Sequence, residues 1–248
     1  RQARYDRCQG QSLFRPRVQA QQLTDAMTAL SYCGEMVRKH DPDRFLLSLY
    51  APARARESLF ALYAFNHEIA KTREVVTETQ LGLIRLQWWR DALAGYYDSG
   101  KVLQHQVIEP LCAAISAHGL PRENFDNLIY AREFDLEDRA PSSLDGMVKY
   151  ATYTNAPLAG LALKVLGQDA AQQDIDSAAA AYGLTGLLRA VPAHLRQRRC
   201  YLPEDLLGAA GVSVYDLYDG SGIAKISPVV LRIAQTAEKQ IAGVSAAA

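Results

Sequence analysis

Four carboxylates, Glu133, Asp135, Glu137 and Asp138, crowd one short stretch of the chain. Glu133 and Glu137 stand four residues apart, so a helix would carry both on one face, as ligands of a hard cation require. The alternative is a solvated acidic helix end. Another acidic pair, Asp41 and Asp43, brackets Pro42 and precedes Arg44, where Asp41 can serve as an N-cap. Positive charge gathers in two places, Lys71 with Arg73, and Arg189 with Arg196, Arg198 and Arg199. Guanidinium forks match phosphate and carboxylate, so these stretches could hold a phosphate, an anionic lipid head group or an acidic partner surface. A solvated basic face is the other reading of Arg196, Arg198 and Arg199. Arg189 lies within an apolar run and could pair with an acid such as Asp135. Tyr150 and Tyr153 stand at helical spacing, as core residues commonly do.

The bulk composition narrows the chemistry. Cys8, Cys33, Cys112 and Cys200 lie far apart, with no CxxC pair and no histidine at zinc-ligand spacing, which points to reduced thiols rather than a metal or disulfide framework. The 27 basic residues balance 27 acidic ones, and a general nucleic-acid binder would carry an excess of positive charge. No apolar run approaches the roughly 18 to 20 residues that a membrane-spanning helix needs, which leaves peripheral membrane contact open.

The elements that must position these residues read as helices throughout. Residues 1–26, Arg-rich and nearly free of acids, are set apart as an extension, a targeting remnant or a leader, from a single domain over 27–248. A helix is expected from Ser31 to His40 and another from Arg44 to Tyr50. The central one runs from Phe60 through Glu74 to about Val76. Leu81–Tyr97 carries Leu81, Ile84, Trp88 and Ala92 on one face, widened by Leu86, Trp89 and Leu93, which suits a helix packed on two sides with both tryptophans in the core. Val102–His118 is closed by Gly119, and Pro121 opens a helix that runs to about Asp138. A helix follows Pro141-Ser142-Ser143 and ends at Gly167. The long segment from Asp174 to Pro203 is bent by Pro192. A short helix at Glu204–Leu207, a loop over 208–222 and a last helix at Pro228–Ala242 complete an all-α chain.

The run ALYAF at Ala61–Phe65, inside FALYAFNHEIAKTRE, resembles the first signature of the squalene and phytoene synthase family. DIDSAAAAYGLTGLLRAVPAHLRQRRCYLP resembles the second, with Arg189, Arg196, Arg199, Tyr201, Leu202 and Pro203 matching. The resemblance spans roughly residues 38–207 and implies a helical bundle of the isoprenoid synthase type around a large apolar pocket. In that family two aspartates in each signature, four residues apart, hold magnesium against a substrate diphosphate. Here those positions are Ala70 and Glu74 in the first and Ala190 and His194 in the second. Asp41, Asp43 and Arg44 stand where the family has a serine-rich entry, and a carboxylate pair there would repel a phosphate unless a cation bridged them. Asp135 falls where the family often has an Asp-Leu pair, and Gly183 replaces a glutamine. Tyr150 and Tyr153 resemble a stretch whose aromatic ring stabilises a carbocation, from which Asn155 and Pro157 depart.

Alanine offers a metal no ligand atom and histidine suits a hard cation poorly, so no metal and no cofactor is expected. Magnesium enters only if the chain is a divergent head-to-head prenyl transferase that uses Glu74, the 133–138 cluster and the arginines. AFNHEIAKTRE, LGLIRLQWW and LLRAVPAHLRQRRCYLP are similar to an aspartate-lacking subfamily, the phytoene-synthase-like mitochondrial complex I assembly factors and their alphaproteobacterial relatives. That resemblance implies a non-catalytic binding or assembly factor with complex I subunits or assembly intermediates as protein partners. Its place would be the mitochondrial matrix, the inner-membrane periphery or an alphaproteobacterial cytoplasm. A third expectation is a peripheral binder of an anionic lipid or isoprenoid, with the arginines on the head group.

Overall fold

The computed structural model describes residues 30–244, so the reading of 1–26 as an extension lies outside the described residues. Its helices, in chain order, are α1 Tyr32–His40, α2 Pro42–Tyr50, α3 Ala53–Ala70, α4 Thr72–Val75, α5 Thr79–Ser99 and α6 Ile108–His118. There follow α7 Arg122–Ala131, α8 Leu144–Leu166, α9 Gln172–Arg196, α10 Glu204–Ala209, α11 Val214–Tyr218 and α12 Ser227–Ala242. Short 3-10 turns at Phe134–Leu136 and Ile223–Lys225 are the remaining elements, with no strand among the described residues. The expected all-α architecture is what the chain adopts.

Local chemistry sets the helix ends. Gly100, Gly119 and Gly167 take left-handed backbone angles and close α5, α6 and α8. Asp41 caps α2 by accepting a hydrogen bond from the Arg44 amide at 3.1 Å, and Ser143 caps α8 by accepting one from the Gly146 amide.

The core forms around α3, whose Phe60, Leu62, Phe65 and Ile69 are fully buried. This helix packs against α1, α6 and α8. Phe65 meets Trp89 of α5 and Phe125 of α7 edge-on, each at 5.4 Å between ring centres. A second cluster, with Met147, Leu184, Leu202, Leu207, Leu217 and Ile233 among its members, joins α8 and α9 to α10, α11 and α12.

Five boundaries or faces differ from the expectation. The central helix does not run on to Val76: it stops at Ala70, and Glu74 donates its amide to Lys71 only three residues back. The α6 helix starts at Ile108 rather than Val102, because a longer helix would place Pro110 in its interior, without a donor and against the Gln106 carbonyl. In α5 the buried face is Gly82, Leu86, Trp89 and Leu93, whereas Leu81, Ile84 and Trp88 are exposed. Trp89 is therefore core at 1% exposure and Trp88, at 41%, is not. The α7 helix ends at Ala131 because Asp135 turns into a buried hydrogen-bond network that a continuing α-helix would forgo. Finally, the 208–222 loop contains α11, started by a capping box between Ser213 and Asp216.

Candidate functional site

The end of α3, the α7–α8 connection and the middle of α8 and α9 enclose a cleft of about 270 Å³. All four positions singled out from the signatures line it: Ala70 and Glu74 from the α3–α4 junction, Ala190 and His194 from α9. So do Arg73, Asp135, Tyr150, Arg199 and Tyr201. Two segments more than a hundred residues apart thus meet across one opening.

At the floor of the cleft Asp135 is almost fully buried and accepts three hydrogen bonds. Oδ1 takes the hydroxyls of Tyr150 at 2.6 Å and Tyr201 at 2.9 Å, and Oδ2 takes Nη1 of Arg132 at 3.5 Å. Arg132 also reaches Oδ1 of Asn66 at 3.4 Å, and its Nε has no hydrogen-bond partner. Burial pushes both tyrosine hydroxyls up, with the Asp135 charge adding to it, so they stay protonated and act as donors. Burial opposes the Arg132 cation, but Tyr150, Asp135 and Tyr201 outweigh it and the guanidinium is held above its ordinary range. The rings of Tyr150 and Tyr201 stack at 5.4 Å, and His194 lies 4.8 Å from Tyr201. Burial first, then the nearby Arg199, lowers the His194 pKa, and its Nδ1 is buried without a partner.

Arginines shape the rim. Arg199 donates Nη2 to the Arg73 carbonyl at 3.0 Å, and Arg73 forms a two-pronged ion pair with Asp138, Nε to Oδ1 at 2.9 Å. Asp138 presents itself through a left-handed backbone, φ 51°.

Other residues picked from the sequence lie elsewhere. Lys71 pairs with the buried Glu68 at 2.5 Å, which also holds Arg85 at 2.7 Å. Tyr153 is exposed and lines a separate depression with Tyr130 and Lys149. Arg196 is exposed. Arg189 is not embedded in apolar surroundings: it points to solvent and pairs with Asp43 at 2.6 Å rather than with Asp135. The acidic cluster is dispersed as well, since Glu133 pairs with Arg90, Glu137 with Arg139 and Asp138 with Arg73. Among the described residues no group of three or more His, Cys, Asp or Glu side chains could hold a metal ion.

Sequence reading missed Arg132, whose one signal is its place three residues before Asp135, and it set Arg44 at the pocket entry without its partners. The Arg44 guanidinium pairs with Asp41 at 2.7 Å, donates to Oδ1 of Asn155 at 3.0 Å and lies 4.6 Å over the Tyr182 ring. Tyr182 and Asn155 also line the cleft, so Arg44 stands between it and a second, apolar groove of about 670 Å³.

A magnesium cluster of the type implied by the signature resemblance needs carboxylates facing each other across the cleft. Glu74 and Asp135 are the carboxylates that line it, and Asp135 is already taken by two hydroxyls and a guanidinium. Opposite Glu74 stand a methyl group and an imidazole. This donor set does not fit the cluster.

The family model for squalene/phytoene synthase matches residues 37–248. A curated relative, NADH dehydrogenase (ubiquinone) complex I, assembly factor 6 of Bos taurus, is 35% identical over 211 residues, covering 83% of this chain and 62% of its own length. The chain thus spans somewhat under two thirds of that relative. Among solved structures, a squalene synthase from Alicyclobacillus acidocaldarius superposes with a TM-score of 0.72 at 19% identity, over 84% of this chain and 78% of the other. A ligand-bound dehydrosqualene synthase gives the same TM-score and identity over 90% and 76%. At such identity the superpositions establish the bundle, and the family match over residues 37–248 joins it to the two ordered signatures: the chain belongs to the squalene/phytoene synthase family.

Proposed function

We propose that this chain is a non-catalytic member of its family that acts as a binding or assembly factor for respiratory complex I. Its partners would be complex I subunits or assembly intermediates, and it would work in the mitochondrial matrix, at the inner-membrane periphery or in an alphaproteobacterial cytoplasm. The observation that carries the reading is the donor set of the cleft, in which Ala70, Ala190 and His194 leave Glu74 without a facing carboxylate. No metal or cofactor is part of the proposal. The 35% identity to a complex I assembly factor supports the same role.

A binding role also has surface to use. Leu81, Ile84 and Trp88 form an exposed apolar row along α5, beside Arg85 paired with Glu68 and Arg90 paired with Glu133. An apolar row with a charge-balanced polar rim suits a protein partner.

Two measurements test this reading. The purified chain should release no diphosphate from farnesyl or geranylgeranyl diphosphate in magnesium buffer beyond a heat-killed control; turnover would instead make it a divergent prenyl transferase. Deleting its gene should lower the assembled level of complex I, and unchanged complex I would remove the assembly role.

A further inference from the structure

Asn155 and Tyr182 line both the cleft and the 670 Å³ groove, and Arg44 is fastened to each of them. Its Nη2 donates to Oδ1 of Asn155 at 3.0 Å, and the guanidinium lies 4.6 Å from the centre of the Tyr182 ring and 5.6 Å from that of Tyr63. Nη1 pairs with Asp41 at 2.7 Å, and the side chain is only 15% exposed. A chain molecule passing from cleft to groove would have to part that ion pair and push a mostly buried guanidinium aside, which leaves its charge uncompensated. Arg44 is thus a wall between two compartments.

Behind the wall the groove is apolar and elongated. Leu158, Leu163 and Leu166 of α8 and Ile175 of α9 line it, with Leu47 of α2 at one edge. Its volume of about 670 Å³ falls within the roughly 300 to 1,000 Å³ in which proteins hold small molecules. From Ala171 to Tyr182 its α9 wall advances about 16 Å, longer than the diameter of about 11 Å that a sphere of this volume would have, so the space suits a chain.

The charges around it select the head group. Asp169 and Asp174 line the end at the α8–α9 turn, where an anion would be repelled. At the other end Arg44 is already neutralised by Asp41, so an anion gains little there, and an ammonium would meet the guanidinium. Tyr63 and Tyr182 line that same end, and burial foremost raises the pKa of each, so both hydroxyls stay neutral. Neutral hydroxyls can donate to, and accept from, another hydroxyl.

We propose that Arg44 seals the inner end of this groove, and that the groove, as a compartment of its own, takes one uncharged single-chain lipid of the long-chain alcohol class. The site lies outside the cleft, so it stands or falls apart from any diphosphate chemistry there.

Equilibrium dialysis of the full chain against radiolabelled octanol, decanol, dodecanol and tetradecanol tests this. One molecule should bind per chain, and each added methylene should tighten binding about fourfold until the chain reaches Arg44, where the gain stops. In Arg44→Ala the gain should continue to longer alcohols, because the wall is open. Tyr182→Ala, which opens the wall from α9 at a side chain already 41% exposed, should do the same and serves if Arg44→Ala does not fold. Ala162→Trp puts an indole into the groove and should weaken dodecanol by about tenfold or more. Dodecanoate and dodecylammonium should bind about tenfold or more weakly than dodecanol, since burying their charge costs more than burying a hydroxyl. Absence of saturable alcohol binding by the parent would overturn the proposal. So would either ion binding as tightly as dodecanol, or one chain-length limit shared by the parent and the folded opened variants.

Discussion

Asp135 holds the floor of the cleft together. With Tyr150, Tyr201 and Arg132 bonded to it, it neutralises a buried guanidinium. Asp135→Ala should therefore destabilise the chain by about 3 kcal/mol or more, because Arg132 is left buried and unpaired. Tyr150→Phe, which removes one of three donors, should cost about 1 kcal/mol. Chemical denaturation of the two variants checks the order, and equal costs would contradict it. The histidines add a pH dependence. Burial foremost, then His40 stacked 4.2 Å away, lowers His67 to about 4, and burial lowers His194 as well. Between about 6.5 and about 4 the unfolded chain binds protons that the folded chain refuses, so this stabilisation is complete above that window and is lost as the pH falls through it. The melting temperature should drop from pH about 7 to about 5, and His67→Gln should flatten part of the drop.

At the scale of elements, the α8–α9 contact depends on a missing side chain. A Cβ on Gly183 would lie 2.7 Å from the Asn155 amide nitrogen and 3.0 Å from the Ala151 carbonyl oxygen, so the two helices approach closely only because this residue is glycine. Gly183→Ala should cost about 1 to 3 kcal/mol. Gly186→Ala, one turn on with nothing within 4 Å, should be neutral or stabilising by up to about 1 kcal/mol. Thermal melts of both variants separate packing from propensity. Here too lies the boundary of what sequence alone conveys. Gly119 and Gly167 gave the ends of α6 and α8, Asp41 gave the cap of α2, and the signatures brought Ala70, Glu74, Ala190 and His194 to one opening. The face of α5 was misjudged because its apolar residues encircle most of the helix, and periodicity cannot tell a core stripe from an open one. Arg189 looked enclosed because its sequence neighbours are apolar, while its own side chain points out to Asp43. Arg132 was missed because its worth comes from Asn66 and Tyr150, distant in the chain and adjacent only once folded.

For the whole molecule, a helical bundle of the squalene/phytoene synthase family surrounds a cleft whose polar groups are mostly spent on one another. Exposed apolar side chains include the row on α5. Ile84→Asp should leave melting unchanged, since that side chain is exposed, while lowering the level of assembled complex I in cells that carry it. Loss of assembly together with loss of folded protein would assign Ile84 to stability instead. The central claim, that facing carboxylates are gone and with them the means to hold a magnesium-bound diphosphate, is most directly tested by soaking crystals with manganese and a non-hydrolysable farnesyl diphosphate analogue and recording anomalous scattering. No manganese peak should stand between Ala70 and Glu74 on one side and Ala190 and His194 on the other. Two or more metal ions bound there with the diphosphate would contradict it.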